Sequence, residues 1–311
     1  MRRAHILGAA AAVLFSVQLC ITEATAQESE SGAAQGQSPA VSLTTETAPA
    51  LARAHRVRGL EAYRAGRFAE AAREFEQAVG AWPDYAEGYN DLAMARTSLG
   101  EFGAAIELLE RAVRLQPRRA EMRYNLGTAY YRAGRLEESV AALGEAVRLQ
   151  PRHPWAHSNL GVSLYELGRY EEAARAFGRA AELQPQRAET HYLLALCHEQ
   201  QGRRAQAVES LEEAVRLRPR FAEAHNSLGV AYFGDGRHGE ATDAFRRAVE
   251  IKPDYAAARY NLGAAHLARE ARDAAVEQYR ALKVLDAGLA EKLYNGLFRG
   301  RLLDVSGRGP E

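Results

Sequence analysis

Prolines recur every 34 residues, at Pro83, Pro117, Pro151, Pro185, Pro219 and Pro253, through most of a chain of 311 residues. An interval that does not drift means that one short supersecondary unit is repeated, each copy closing the apolar faces of its neighbours. With each proline set at position 32, seven units cover residues 52–85, 86–119, 120–153, 154–187, 188–221, 222–255 and 256–289.

Within this frame the residue types predict the unit. Gly66, Gly100, Gly134, Gly168, Gly202 and Gly236 all fall at position 15. A helix running from about position 2 must stop there, because glycine supplies the left-handed conformation that ends helices. A second helix is predicted from about position 18 to 31, ending before a proline that cannot continue it. Position 8 is only Gly or Ala (Gly59, Ala93, Gly127, Gly161, Ala195, Gly229, Gly263), position 20 is Ala with one Ser, and position 27 is Ala in the first six units. Position 24 is Phe or Leu until Tyr279. Small residues facing large ones let two helices approach closely without voids. Each unit is therefore one antiparallel helix pair.

These residues resemble the tetratricopeptide repeat family. Its pattern of Leu-Gly, Tyr, a large apolar residue, Ala and Pro stands here as Leu126-Gly127, Tyr130, Leu143, Ala146 and Pro151. The resemblance covers about three quarters of the chain and implies an all-α fold, a right-handed superhelical solenoid of seven helix pairs. It implies much less about function, since folds host many functions.

A stack of this kind needs modified ends. Arg58 replaces the position-7 Leu in the first unit, and the seventh has Glu270 for Gly and Ala287 for Pro. Leu289, Leu293 and Leu297 then continue an i, i+4 stripe toward Leu302, which predicts a closing helix over 290–304. Residues 305–311 read as a frayed tail.

The first 26 residues read as a cleavable signal peptide: Arg2-Arg3, an apolar run from Ile6 to Leu19, then Ala24-Thr25-Ala26. That run is shorter than the roughly 20 residues needed to span a bilayer. Cys20 follows Leu19 rather than the small residue that lipoprotein signals resemble, so the expectation is simple cleavage and a periplasmic or secreted location. Cys197 would then be the single cysteine left, and stability must come from packing. Residues 27–51, rich in Glu, Ser, Gln, Thr and Ala, read as a flexible tether.

Forty basic side chains balance forty acidic ones, and nearly all the basic ones are Arg interspersed with Glu. That pattern argues against a nucleic-acid or membrane-surface footprint. The histidines recur at fixed places, His157, His191 and His225 at position 4, His198 and His266 at position 11. Packed helices lie about 10 Å apart against a metal bond of about 2 Å, so they read as helix-interface residues and no metal or cofactor is expected. Cys197, at a position otherwise Ala or Ser, reads as a packing residue. Glu137-Glu138, Glu171-Glu172 and Glu212-Glu213 are expected to open second helices, where carboxylates favour the dipole. With no H-E-x-x-H, G-x-S-x-G or phosphate-loop run, the chain reads as a non-enzyme.

In the family that the chain resembles, positions 2, 5, 6, 9, 12 and 13 of the first helices line a groove. Here those positions bring together Asn90, Asp91, Tyr124, Asn125, Tyr131, Trp155, Asn159, Tyr165, Tyr192, Asn226, Phe233, Tyr260 and Asn261, with Tyr63 at position 12 of the first unit. Asn amides can bond the backbone of an extended peptide without reading its side chains. Exposed rings would add affinity. The row resembles the ladder in the repeat region of O-linked N-acetylglucosamine transferases, although it breaks at Leu193 and Ser227. The alternative is that the amides bond locally and the position-12 rings belong to the packing. Arg56 and Arg132 stand as isolated cations rather than as a carboxylate clamp.

The function expected is an exported scaffold or adaptor holding an extended peptide or a helix of an envelope protein. The alternatives are a subunit or spacer of a secretion or polysaccharide-assembly machine using its convex face, and an accessory module of an enzyme.

Overall fold

The structure, a computed structural model, describes residues 48–299, which form fifteen α-helices and no strand. The segment read as a signal peptide, most of the expected tether, the last residues of the expected closing helix and the expected tail lie outside the described residues. Two compact bodies, residues 48–183 and 184–299 among those described, are taken in turn.

The first body holds four helix pairs: α1 (Ala48–Arg64) with α2 (Phe68–Ala81), α3 (Ala86–Ser98) with α4 (Phe102–Leu115), α5 (Ala120–Arg132) with α6 (Leu136–Leu149), and α7 (Pro154–Glu166) with α8 (Tyr170–Leu183). Each second helix also packs on the first helix of the next pair, and first helices touch one another in sequence order. The second body repeats this with α9 (Ala188–Gln200) and α10 (Arg204–Leu217), α11 (Ala222–Gly234) and α12 (His238–Ile251), α13 (Ala256–Ala268) and α14 (Arg272–Leu285). It ends with α15 (Ala287–Arg299), which packs on both α13 and α14. The helix-pair solenoid is as expected, with most helices starting one residue earlier than the pattern suggested.

Two boundaries differ for identifiable reasons. The tether was expected to reach residue 51, but α1 starts at Ala48. Pro49 is tolerated in a first helical turn, and Ala52 is buried against Ala78 and Tyr85, which extends the helix backwards. The closing helix starts at Ala287 rather than 290 because Asp286 caps it, its Oδ1 accepting from the Leu289 N–H at 3.0 Å.

The turn inside each pair is one repeated motif. The residue at position 16 donates its N–H to the carbonyl at position 11, as in Arg67 to Ala62, Arg135 to Tyr130 and Arg237 to Tyr232, each at 2.9 Å. The six glycines at position 15 have φ between 70 and 80°. The seventh unit keeps the turn without glycine: Glu270 has φ 61°, and Ala271 still bonds His266 at 2.9 Å. A left-handed conformation costs a residue with a Cβ about 1–2 kcal/mol. Glu270→Gly is therefore expected to stabilise the second body by about 1 kcal/mol, read as a raised urea midpoint with unchanged m value.

The close approach at a position-8 glycine is made against position 24 of the same unit, except in the seventh, where Gly263 meets Leu293 of the closing helix. A Cβ on Gly161 would come within 2.8 Å of the Phe177 ring, and Gly229 meets Phe245 in the same way. Phe75, Phe177 and Phe245 are fully buried, each under a glycine. Where position 8 is Ala, position 24 is Leu: Ala93 with Leu109 and Ala195 with Leu211. The third unit places Leu143 under Gly127, and Ser139, where the others have Ala, donates to the Gly127 carbonyl at 2.8 Å.

Candidate peptide-binding face

The residues expected to line a groove fall on the first helices, and most turn out to be occupied with one another. A pairing 35 residues apart, from position 5 of one unit to position 6 of the next, joins successive first helices. Arg56 Nε donates to Asp91 Oδ2 at 2.5 Å, and Asn125 Nδ2 donates to Asn90 Oδ1 at 2.8 Å. Asn159 Nδ2 reaches the Tyr124 hydroxyl at 3.3 Å and Thr128 Oγ1 at 3.2 Å. In the second body Asn261 Nδ2 donates to Asn226 Oδ1 at 3.0 Å. The amides, all buried, bind unit to unit. Burial pushes the Asp91 carboxyl above its ordinary value, against the pull of the Arg56 guanidinium.

The expectation of exposed rings is corrected for four of the aromatics. Tyr124 and Tyr192 are 0% exposed, and Tyr165 and Tyr260 are buried, while Tyr131, Trp155 and Phe233 remain half-buried. The cause is a partner that sequence reasoning missed, the residue at position 34 just before the next unit. Tyr124 stacks on His153 with centroids 4.8 Å apart, and Tyr192 on Phe221 at 5.0 Å. Position-12 rings meet position 17 instead: Tyr63 with Phe68 at 5.1 Å, Tyr165 with Tyr170 at 5.2 Å and Phe233 with His238 at 4.7 Å. The signal was present in the alternation of aromatic residues at positions 5, 12, 17 and 34, but nothing in one dimension says which of them meet.

The first body holds an open space. A cavity of about 190 Å³ is framed by Tyr63 and Phe68, by Met94, Thr97 and Ser98 of α3, by Leu109 of α4, and by Asn125, Thr128, Ala129 and Arg132 of α5. Of the residues expected at the groove only Asn125 reaches it, together with Tyr63 and Arg132. Met94, Thr97, Ser98 and Thr128 occupy groove positions 9, 12 and 13, and were passed over because they are neither aromatic nor amides. Burial holds the Arg132 guanidinium below its ordinary value, and the groups that pull it back up are Tyr131, Tyr63 and Tyr124. Beside it, burial pushes the Tyr131 phenol up to about 12.

The histidines have structural work. His157, His191 and His225 each donate from Nε2 to the carbonyl of the preceding proline, Pro151, Pro185 and Pro219, at 3.0 Å. Arg123 and Arg259 do the same from position 4. His153 caps α7, its Nδ1 accepting from the Ala156 N–H at 3.1 Å. No group of three or more His, Cys, Asp or Glu side chains among the described residues is placed to hold a metal ion. Cys197 is buried, and burial pushes its thiol up. One expectation about the acids is corrected: Glu212-Glu213 lie in the second half of α10, not at its start. There Glu212 accepts from the Tyr232 hydroxyl and Glu213 pairs with Arg216.

The His153 cap makes a pH prediction. Burial lowers its folded value below the usual value of about 6.5, so the unfolded chain takes the proton more readily. Its contribution is complete above that value and is lost as pH falls through the folded one. Thermal stability measured from pH 7.5 down to 5 is expected to fall, and His153→Asn, which keeps a cap acceptor without titrating, to flatten the slope. An unchanged slope would remove His153 from the acid response.

No helix of the described residues is long and apolar enough to cross a membrane. No curated protein matches the chain in sequence. Among solved structures, that of MamA is 26% identical, with 52% of this chain and 95% of that chain covered at a TM-score of 0.51. A MamA fragment from Desulfovibrio magneticus RS-1, 22% identical, covers 55% and 96% at 0.52. YrrB, described as a TPR protein with an unusual peptide-binding site, is 23% identical and covers 59% and 95% at 0.54. One tetratricopeptide repeat model matches residues 56–117, 90–154 and 199–256, and a second matches 153–220. With helix pairs in a 34-residue register and repeat models matching from residue 56 to 256, the chain belongs to the tetratricopeptide repeat family of protein-interaction scaffolds.

Proposed function

We propose that this protein is an exported, non-enzymatic adaptor that holds an extended peptide or a helix of an envelope protein on the first-helix face of residues 48–183. One observation carries the reading: Tyr63, Met94 and Arg132, from three successive first helices, converge on one cavity. The half-buried Tyr131 and Trp155 lie on the same set of first helices and offer ring surface. The buried amide row gives this face rigidity rather than direct contacts, so its residues act as support. Export rests on the sequence alone, on Arg2-Arg3, the apolar run and Ala24-Thr25-Ala26.

Attachment elsewhere is the second reading, favoured by the apolar surface of the last helices, where Val284 is 89% and Phe298 51% exposed. A photo-crosslinking side chain placed singly at Tyr131, Trp155 and Phe298 in the producing cell separates the two. Adducts with an envelope protein are expected at Tyr131 and Trp155. Adducts confined to Phe298 would overturn the groove. The intact mass of the recovered chain is expected to start at Gln27, and a chain retaining residues 1–26 would overturn export.

A further inference from the structure

The end of the second body leaves rings uncovered. α15 buries Ala290, Leu293 and Leu297 against α13 and α14, while Tyr294 and Phe298, one helical turn apart, are 37% and 51% exposed. With Tyr279 of α14 they form a continuous run, Tyr279 to Tyr294 at 5.8 Å between centroids and Tyr294 to Phe298 at 4.7 Å. Rings earlier in this body, Tyr192, Phe221, Phe245 and Tyr260, are buried.

Each ring of the run carries a cation. Arg272 lies 5.1 Å from the Phe298 centroid, Lys283 6.0 Å from that of Tyr279 and Arg299 6.0 Å from that of Tyr294. The same pairing occurs earlier in this body, and there it has a third member. Arg218 lies over Phe221 and pairs with Glu189, Arg237 over Tyr232 and pairs with Glu240, and Lys252 over Tyr255 and pairs with Glu223. At the end of the body the acid is missing: Arg272, Lys283 and Arg299 form no ion pair among the described residues.

We propose that the α14–α15 face docks an acidic amphipathic helix of a partner protein, whose apolar stripe covers Tyr294 and Phe298 and whose carboxylates complete the ring–cation pairs at Arg272, Lys283 and Arg299. A helix fits because α15 follows α14 as a first helix follows a second, and among the described residues no second helix comes after it. A carboxylate fits because it holds the third place in each of the earlier pairs. A second copy meeting the same face about a two-fold axis would set the three cations against their own kind. An anionic bilayer would be repelled by Asp273, Glu277, Asp286 and Glu291, exposed on the same two helices. The face lies wholly within residues 184–299, so the proposal stands apart from the groove in residues 48–183.

The test uses the full chain and two fluorescent, amidated helical peptides of about 18 residues, alike in a Leu stripe at i, i+4 and i+7 and differing only in carrying Glu or Lys beside it. By fluorescence anisotropy the Glu peptide is expected to bind about tenfold more tightly, as three partly exposed ion pairs together give, and the preference to shrink with added salt. Arg272→Gln together with Arg299→Gln keeps the rings and is expected to bring the two peptides within about threefold. Phe298→Ser, at an exposed position, is expected to weaken both by about tenfold. Equal binding of the two peptides, a preference that survives the double variant, or binding indifferent to Phe298→Ser would each overturn the proposal. So would three results that give the face to another occupant. The first is a dimer in sedimentation that Phe298→Ser dissociates. The second is retention of the chain, but not of the Phe298→Ser variant, by phosphatidylglycerol vesicles. The third is a Glu-peptide affinity raised about tenfold by Leu302→Ser with Leu303→Ser, which would put the chain's own C-terminal segment there. Failure on any of these leaves the crosslinks at Tyr131 and Trp155, and with them the groove, untouched.

Discussion

Replacing Phe177 by Ala is expected to destabilise residues 48–183 by about 3–5 kcal/mol, the cost of emptying a fully buried aromatic site that cannot collapse. In a repeat stack the loss is felt by the neighbours through shared interfaces, so hydrogen exchange should accelerate first in α7 and α8. The geometry also predicts non-additivity. Gly161→Ala alone would push a Cβ to 2.8 Å from the Phe177 ring and should cost about 1–3 kcal/mol by overpacking. Phe177→Leu alone leaves a smaller void. Combined, the two reproduce the Ala93 and Leu109 pairing of the second unit, and the double variant should be more stable than the sum of the single losses. Strict additivity in urea unfolding would mean that the contact at position 8 is not what restricts that site to Gly and Ala.

Arg56→Met is expected to cost about 3–5 kcal/mol at pH 7, because it strips the buried Asp91 carboxylate of its cation. The sign of the pH dependence follows from the Asp91 carboxyl. Its folded value is already raised by burial, so the native state holds the proton more readily than the unfolded one. The penalty in the variant should shrink as pH falls through that raised value, since a protonated carboxyl needs no counter-charge. Adding Asp91→Leu should restore most of the loss at pH 7, as apolar replacement of both partners does at buried pairs. Urea midpoints at pH 4.5 and 7 for the unaltered chain and the two variants check this. A penalty for Arg56→Met that is the same at both values would mean that Asp91 is solvated.

Much of the fold was legible in one dimension because its contacts are local and repeated. The 34-residue proline interval, glycine at position 15 and the small residues at positions 8, 20 and 27 each answer a backbone or packing demand arising within one unit. A demand met in unit after unit leaves a mark in nearly every one. Glu270 shows the limit of reading a motif by its residue: the turn forms there with the same hydrogen bonds and a strained left-handed glutamate.

The site was legible only as a set of positions. Asn90, Asn125, Asn159, Asn226 and Asn261 stand on the first helices as expected, yet their amides bond adjacent units or the hydroxyls of Tyr124 and Thr128. A buried amide is costly without a partner, and the nearest partner is the next helix, one repeat and one residue away. Tyr124 and Tyr192 were predicted as exposed rings and are sealed by His153 and Phe221, which share with them no motif, only a neighbourhood. The cavity beside Arg132 was passed over because a void is what several side chains leave unfilled, and no single residue encodes it.

The sequence by itself determined the repeat, the helix pairs, the turn chemistry and the small-against-large packing, since these depend on residues a fixed number of steps apart. Only the tertiary structure decided which polar groups are spent on holding units together and which are left to face a partner. That division depends on distances between helices 31 to 35 residues apart, and a shift of an ångström there exchanges a hydrogen bond between units for one available to a ligand.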